Sequence, residues 1–316
     1  MNTEQTVSVI VPFLNEEENI PLLYQRCVEV FQSLPEKLEL IFIDDGSTDR
    51  SLDIVKELAE KDPAVKYIQL SRNFGHQRAI TAGMHHCSGD AAVIIDADLQ
   101  DPPEVIANLV SSWKEGYEVV HAVRSKRKGE GQLKKMLAHV FYRVMTSITE
   151  VEMTVDAGDF RLLDRKAINA LKSMPEQHRY MRGLASWIGF RQTSIEYERD
   201  ARHAGVTKYP LRKSIALALN AITSFSGTPL RCIFYLGIVL CSLSIGIAIY
   251  LFWVWNFRQS IPPAHAGTTY LTLAIFFVSG LQMLCMGILG QYLRRVFDEI
   301  KKRPLYLVKE TNFIES

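Results

Sequence analysis

Ala91-Ala92-Val93-Ile94-Ile95-Asp96-Ala97-Asp98 decides how this chain is read. Five apolar residues run straight into two carboxylates one residue apart. The apolar run predicts a buried strand, and the carboxylates fall where that strand ends. In an open α/β sheet, ligands bind beyond the carboxyl ends of the strands. Two like charges at a buried sheet edge are costly unless a cation joins them. The pair therefore points to a divalent metal, and a metal there points to a phosphorylated ligand. Two solvated loop carboxylates are the simpler reading, and the commoner fate of Asp after a strand. The sequence on either side weighs between the two.

Upstream, residues 7–13 read as a first strand, and Asn15 to Phe31 as a helix with Glu16, Glu17 and Glu18 in its first turn, where the helix dipole favours anions. Leu38 to Ile43 is a second strand, Ser51 to Lys61 a helix, Val65 to Leu70 a third strand and Arg78 to His86 a helix. Downstream of the Ala91 to Ile95 strand come a helix over Pro103 to Glu115 and a strand over Tyr117 to Ala122. Such alternation predicts an α/β domain, a mostly parallel sheet with helices on both faces. A basic loop (Ser125 to Gln132), a helix (Leu133 to Ile148) and a short helix (Lys166 to Lys172, entered from Asp156 to Leu163) follow. Arg199 to Tyr209 reads as a polar, basic loop, and Leu211 to Phe225 as an amphipathic, interfacial segment.

Cys232 to Trp255 and Tyr270 to Leu293 carry no charged residue. Each exceeds the roughly 20 residues that cross a bilayer core. Lys208, Arg212, Lys213 and Arg231 precede the pair, and Arg294, Arg295, Lys301, Lys302 and Arg303 follow it. The positive-inside rule puts both flanks in the cytoplasm and the linker outside. The expected plan is a catalytic domain over 1–210, an interfacial helix over 211–229, two membrane helices over 230–294 and a cytoplasmic tail over 295–316.

Composition sets outer bounds. A formal net charge of +1 over 316 residues gives no reason to invoke nucleic acid. The five cysteines form neither a zinc pattern nor a disulfide framework. The first residues lack the basic start and cleavage site of a signal peptide, so the N-terminal domain is expected in the cytosol.

Four polar clusters follow predicted strands: Pro12 to Glu16, Asp44 to Ser47, Ser71 to Gly75 and Asp96 to Pro102. A parallel sheet gathers such ends along one rim. Carboxylates, an Arg and Gly turns there suit a nucleotide whose diphosphate is bridged by a metal. The succession V-I-V-P-x-x-N-E, D-D-G-S-x-D, N-x-G and D-A-D-x-Q-D-P resembles the inverting family 2 glycosyltransferases of GT-A fold. Gly158-Asp159-Phe160-Arg161 and the two apolar spans narrow the resemblance to polyprenyl-phosphate glycosyltransferases of the GtrB type, relatives of dolichyl-phosphate mannose synthase.

The resemblance implies a reaction and roles. A hexose, glucose foremost, passes with inversion from a UDP-sugar to undecaprenyl or another polyprenyl phosphate at the inner membrane. Pro12, Asn15, Glu16 and Gln100 line the nucleotide-sugar site; Asp45 contacts the base, with Asp44 beside it; Arg72 and Gly75 shape the wall. Asp96 serves the ribose or metal region, and Asp98 ligates Mg²⁺ or Mn²⁺. Asp159, with Asp156 second, is the implied base, yet a lipid phosphate is largely dianionic at neutral pH and needs little deprotonation. Asp159 then reads as a positioning group for the acceptor or the sugar hydroxyls, and the plainer alternative is a structural partner of Arg161 or Arg165. Arg199, Arg202 and Lys208 are the expected cations for the acceptor phosphate. His76, after Gly75, is a candidate phosphate contact. Asp49 reads as a helix N-cap, and Glu16 equally as a first-turn carboxylate.

Three rivals remain: the same fold using GDP-mannose or an amino-arabinose donor, a processive polysaccharide synthase, and a non-catalytic membrane scaffold. The Q-x-x-R-W motif of the synthases is absent. A scaffold has no use for paired metal-binding carboxylates. The oligomeric state is open, a homo-oligomer included.

Overall fold

The computed structural model describes residues 5–124, 157–198 and 264–313, with scattered positions between 230 and 253. The interfacial segment, the basic loop and the helix over 133–148 lie outside the described residues. The chain forms two units, one holding the described residues 5–198 and 303–313, the other those of 230–302.

The first unit is built on one sheet. Its strands are β1 (Thr6–Phe13), β2 (Lys37–Asp44), β3 (Val65–Leu70), β4 (Ala91–Ile94), β5 (Val119–Arg124), β6 (Ala157–Asp164), β7 (Gln192–Tyr197) and β8 (Val308–Thr311), in spatial order β7-β5-β6-β4-β1-β2-β3-β8. Helices α1 (Ile20–Gln32), α2 (Ser51–Lys61), α3 (His76–His86), α4 (Val105–Lys114), α5 (Arg165–Ser173) and α6 (Met181–Trp187) connect or flank them. Val7, Val9, Ile10 and Val11 on β1, and Leu40 to Ile43 on β2, are fully buried. A strand covered on both faces has no polar side to show, which is why these segments read as unbroken apolar runs.

The order of the strands places the site. From β1 the chain steps outward to β2 and β3, then returns to lay β4 on the other side of β1. The β1–β4 boundary is the topological switch point, and ligands bind there, beyond the strand ends. Pairing between the two strands stops at Ile10↔Ile94, so Pro12 and Asp96 both lie past it.

Three strands escape the sequence reading. Ala157–Asp164, expected only to lead into a helix, is an antiparallel strand between β4 and β5. β7 runs parallel to β5. Val308–Thr311, expected in a separate tail, pairs antiparallel with β3 at the sheet edge. Around it, Tyr306 Oη lies 3.0 Å from His85 Nδ1, Tyr67 donates to Glu310, and the Tyr67 amide donates to Asn312 Oδ1.

In the second unit, α7 (Ala264–Ile300) runs 37 residues. Its part Ala274–Ile300 contains an 18-residue stretch with a mean hydropathy of 1.6. At 1.5 Å per residue those 27 residues outreach a hydrocarbon core of about 30 Å. Phe276, Phe277, Met283 and Leu293 are exposed on it. It is the one helix among the described residues long and apolar enough to cross a membrane. Most of the other expected span, 232–255, lies outside the described residues; its described positions are helical, with Tyr235, Val239 and Trp253 exposed.

Candidate active site

The rim is floored by three loops tied to one another. After β1, Asn15 turns into the left-handed region (φ 58°). Asn tolerates this because its short polar side chain bonds locally. The Asn15 amide donates to Ser47 Oγ (3.0 Å), and the Thr48 amide donates back to Asn15 Oδ1 (2.8 Å). The Glu16 amide donates to Ser51 Oγ at 2.8 Å. This turn postpones the helix: α1 begins at Ile20, and Glu16, Glu17 and Glu18 precede it instead of filling its first turn. Glu17 then accepts from the Arg50 amide, and Glu16 from the Asn19 side chain. Asp49 is not the N-cap: Arg50 holds that position, and Asp49, one residue earlier, accepts from the Ser51 amide at 3.1 Å.

The loop after β2 meets the loop after β3. The carboxylate of Asp45 takes the Phe74 amide at 2.7 Å and the Gly75 amide at 3.0 Å. Burial pushes the Asp45 pKa up, against the lowering effect of those amides. Its neighbour Asp44 accepts from the Ser47 amide at 2.8 Å, and its other oxygen is buried without a hydrogen bond. Gly46 sits where a Cβ would come within 2.8 Å of the Asn73 amide nitrogen, at φ +83°. No other residue fits that close backbone approach at that φ. Arg72 is exposed and lies 4.2 Å over the Phe74 ring, while Pro12 is buried within β1.

Past β4, the D-x-D turn is held from both ends. Asp98 accepts from the Gln100 amide at 3.2 Å, and Leu99 is buried at φ 56°. A buried non-glycine residue held left-handed marks a turn whose surroundings over-determine it. Behind it Asp101, fully buried, accepts from the Tyr197 hydroxyl and lies 3.9 Å from Arg124. Asp96 Oδ1 is enclosed and takes no hydrogen bond. Burial foremost raises the Asp96 pKa to about 6, with Asp159, Asp101 and Asp98 adding to it against His76.

Asp159 lies on β6, antiparallel to β4, and this brings it to the same rim. It is buried and surrounded by donors. Arg182 grips it with two bonds, Nε to Oδ1 at 3.1 Å and Nη2 to Oδ2 at 3.2 Å. Gln77 Nε2 donates at 3.3 Å. His76 Nε2 stands 3.4 Å from both Asp159 Oδ2 and Asp96 Oδ1. Burial opposes the Asp159 charge, yet Arg182 and His76 outweigh it and hold the carboxyl well below the usual range. Burial likewise opposes charge on His76, but its bond to Asp159 and the nearby Asp96 raise it to about 9. Arg161, fully buried, spends its fork on the Gly158, Met181 and Asp159 carbonyls. Of the roles read from sequence, this geometry shows ion pairing, with Arg182 at 3.1 Å and Arg161 at 3.7 Å.

The structure therefore brings Asn15, Glu16, Asp44, Asp45, Gly75, Asp96, Asp98, Gln100 and Asp159 to one rim. Asp156, Arg199, Arg202 and Lys208 lie outside the described residues. Sequence reasoning missed Arg182 and Gln77. No motif marks Arg182, which stands 23 positions from its partner; Gln77 has only its place beside His76 as a signal. Among the described residues no three His, Cys, Asp or Glu side chains converge on a metal-sized site.

A family model, "Glycosyl transferase family 2", matches residues 8–172. The chain belongs to the family 2 glycosyltransferases. The match covers β1 to β6 and the rim, so the sheet is the GT-A-like α/β core implied by the motifs. This glycosyltransferase is 47% identical over 309 residues to the uncharacterized glycosyltransferase YkcC of Bacillus subtilis, covering 98% of this chain and 95% of that one. It is 38% identical to the SfII prophage-derived bactoprenol glucosyl transferase of Shigella flexneri, over 97% of this chain and 98% of that one. Among solved structures, glucosyl-3-phosphoglycerate synthase from Mycobacterium tuberculosis, in complex with Mn²⁺, UDP and phosphoglyceric acid, is 20% identical with a TM-score of 0.48, over 69% of this chain and 76% of that chain.

Proposed function

We propose that this family 2 glycosyltransferase moves glucose from UDP-glucose to undecaprenyl phosphate or a similar polyprenyl phosphate, with inversion, at the cytoplasmic membrane face. The observation that carries the reading is the 38% identity, along nearly the whole of both chains, to a bactoprenol glucosyl transferase. The rim agrees with it. Its open end gathers hard oxygen donors and backbone turns at the switch point, the setting in which a nucleotide diphosphate binds.

Mg²⁺ or Mn²⁺ fits Asp98 and Asp96. Such ions are commonly held by one or two carboxylates and complete their shell with substrate phosphates. The enclosed Asp96 oxygen without a hydrogen bond suits that role. When bound, the ion offsets charge on the departing UDP. The chain's own residues do the rest. Asn15, Ser47 and Thr48 lock the β1 and β2 loops together into a wall for the nucleotide. Asp45 fixes the Phe74–Gly75 backbone, which leaves base contact to whatever lone pairs its carboxylate still presents. The acceptor dianion attacks without a protein base, since a phosphate monoester is already largely dianionic at neutral pH.

The reading includes the anchor: α7 and the segment before it as two membrane helices, both termini cytoplasmic, and Arg199, Arg202 and Lys208 near the acceptor. Keeping the enzyme on the bilayer keeps it within reach of an acceptor that cannot leave it. The test is purified full-length protein given UDP-glucose, UDP-galactose or GDP-mannose with polyprenyl phosphate, with and without EDTA. Lipid-linked glucose formed only from UDP-glucose, and lost with EDTA, is expected. Transfer from GDP-mannose alone overturns the donor, and no transfer from any donor overturns the enzyme reading.

A further inference from the structure

We propose that Arg182 binds a substrate phosphate and that buried Asp159 is the positioning residue that aims it. This rests on the proposed reaction for the identity of the phosphate, though not for the geometry.

The pair is asymmetric. Asp159 is 7% exposed, whereas 36% of the Arg182 side chain is open. Asp159 engages the guanidinium along its Nε–Nη2 edge, with one bond to each carboxylate oxygen. Two parallel bonds fix the plane and direction of the fork as well as its position. A surface ion pair with this much exposure contributes little to stability. Here, though, the acid is held independently of Arg182. Gln77 donates to Asp159 and accepts from the Met181 amide at the start of α6, the helix that carries Arg182. Arg161 lies 3.7 Å beneath, with its fork on three carbonyls. Three elements, α3, β6 and α6, thus converge to hold one carboxylate and one guanidinium in register.

The location gives this rigidity a use. Through His76, the pair connects to Asp96 of the D-x-D turn, with 3.4 Å on each side. Arg182 is therefore a planar cation at the rim where two phosphate-bearing substrates must meet. Arg is the side chain suited to bind phosphate through a fork, and loss of one charge-assisted contact weakens binding roughly ten- to hundredfold. The phosphate has two sources, the lipid acceptor or the donor diphosphate.

The experiment compares R182Q, R182K and D159N with the full-length wild type in detergent or nanodiscs. Michaelis constants for polyprenyl phosphate and UDP-glucose are measured separately, with a thermal melt for each variant. R182Q is expected to raise one of the two constants roughly ten- to hundredfold, with kcat changed less. A rise for the lipid assigns the acceptor phosphate; a rise for UDP-glucose assigns the donor. R182K should restore part of the loss, since it keeps the charge without the fork. D159N should mimic R182Q and add little to it in the double variant, since both disturb one contact. Unchanged constants in a folded R182Q overturn the proposal. So does a D159N that loses kcat while both constants stand, the mark of a base. An R182K that no longer folds assigns Arg182 a structural role and overturns it too. If the wild type transfers no glucose, the proposed reaction fails. Arg182 is then read from calorimetric binding of UDP and of polyprenyl phosphate to wild type and R182Q.

Discussion

Gly46→Ala is the sharpest probe of how the rim is built. Two costs fall on it. The backbone there has φ +83°, a region that costs an L-residue roughly 1–2 kcal/mol. The new methyl also meets backbone, 2.8 Å from the Asn73 nitrogen and 3.0 Å from the Arg72 carbonyl carbon. Side chains can rotate away from such a contact, but these atoms belong to the loop that Asp45 holds. Overpacking of this kind costs typically about 1–3 kcal/mol. Together they predict a loss of about 2–5 kcal/mol, or roughly 2–4 °C in Tm for each kcal/mol in a unit of this size. Gly75→Ala supplies the control. Gly75 has φ +98°, yet nothing lies within 4 Å of its missing Cβ. It carries the conformational cost without the collision. The collision also pushes Asn73 outward and loosens the amides on Asp45, so the donor's Michaelis constant should rise in G46A more than the acceptor's. Thermal melts and steady-state kinetics on the two variants are the assay. A G46A no less stable than G75A, with unchanged donor kinetics, would show that the β2 and β3 loops do not meet as described.

Three further outcomes are expected. D98N should bind Mn²⁺ at least tenfold more weakly by calorimetry in the presence of UDP; unaltered affinity would remove Asp98 from the metal site. Burial foremost, with Arg161 nearby, lowers His121 from 6.5 to about 4, so folding favours its neutral form. The unfolded chain binds the extra proton between those values, and stability therefore falls as pH drops from 6.5 towards 4, by about 3 kcal/mol for this group. Urea titrations should show a shallower acid limb in H121Q than in wild type, and identical limbs would refute the assignment. Tyr306→Ala should destabilise the first unit by about 1–3 kcal/mol through loss of its packing on His85 and His86; an unchanged melting temperature would mean that Tyr306 does not anchor the segment that leads into β8.

How far the sequence reached depends on the kind of signal each element sends. β1 to β4 and the helices between them announce themselves, because strands buried on both faces are apolar throughout and the turns after them are polar. The boundary error at α1 came from a competing local chemistry: three glutamates suit a first helical turn, but Asn15 bonding to Thr48 holds the chain out of the helix for four more residues. β6 was hidden by Arg161, a charge in the middle of a strand that is offset by three carbonyls, two on β6 itself and one, of Met181, at the start of α6. β8, Val-Lys-Glu-Thr, is an edge strand with mostly polar residues and so offers no alternation to read.

The same division runs through the site. Sequence alone determined that carboxylates and glycine turns end the parallel strands, since strand ends and turn residues are local properties of the chain. It also determined that α7 carries a long apolar surface. Only the tertiary structure decided what the carboxylates do. Asp45 becomes a clamp on a backbone loop and Asp101 a buried brace. Asp159 becomes a counter-ion once β6 and α6 bring Arg161 and Arg182 to it. An ion pair depends on which elements become neighbours, and neither spacing nor composition carries that. The Asp96-Ala97-Asp98 turn stands between the two: its residues were legible, but the enclosed oxygen of Asp96 exists only because α3 and β6 close around it.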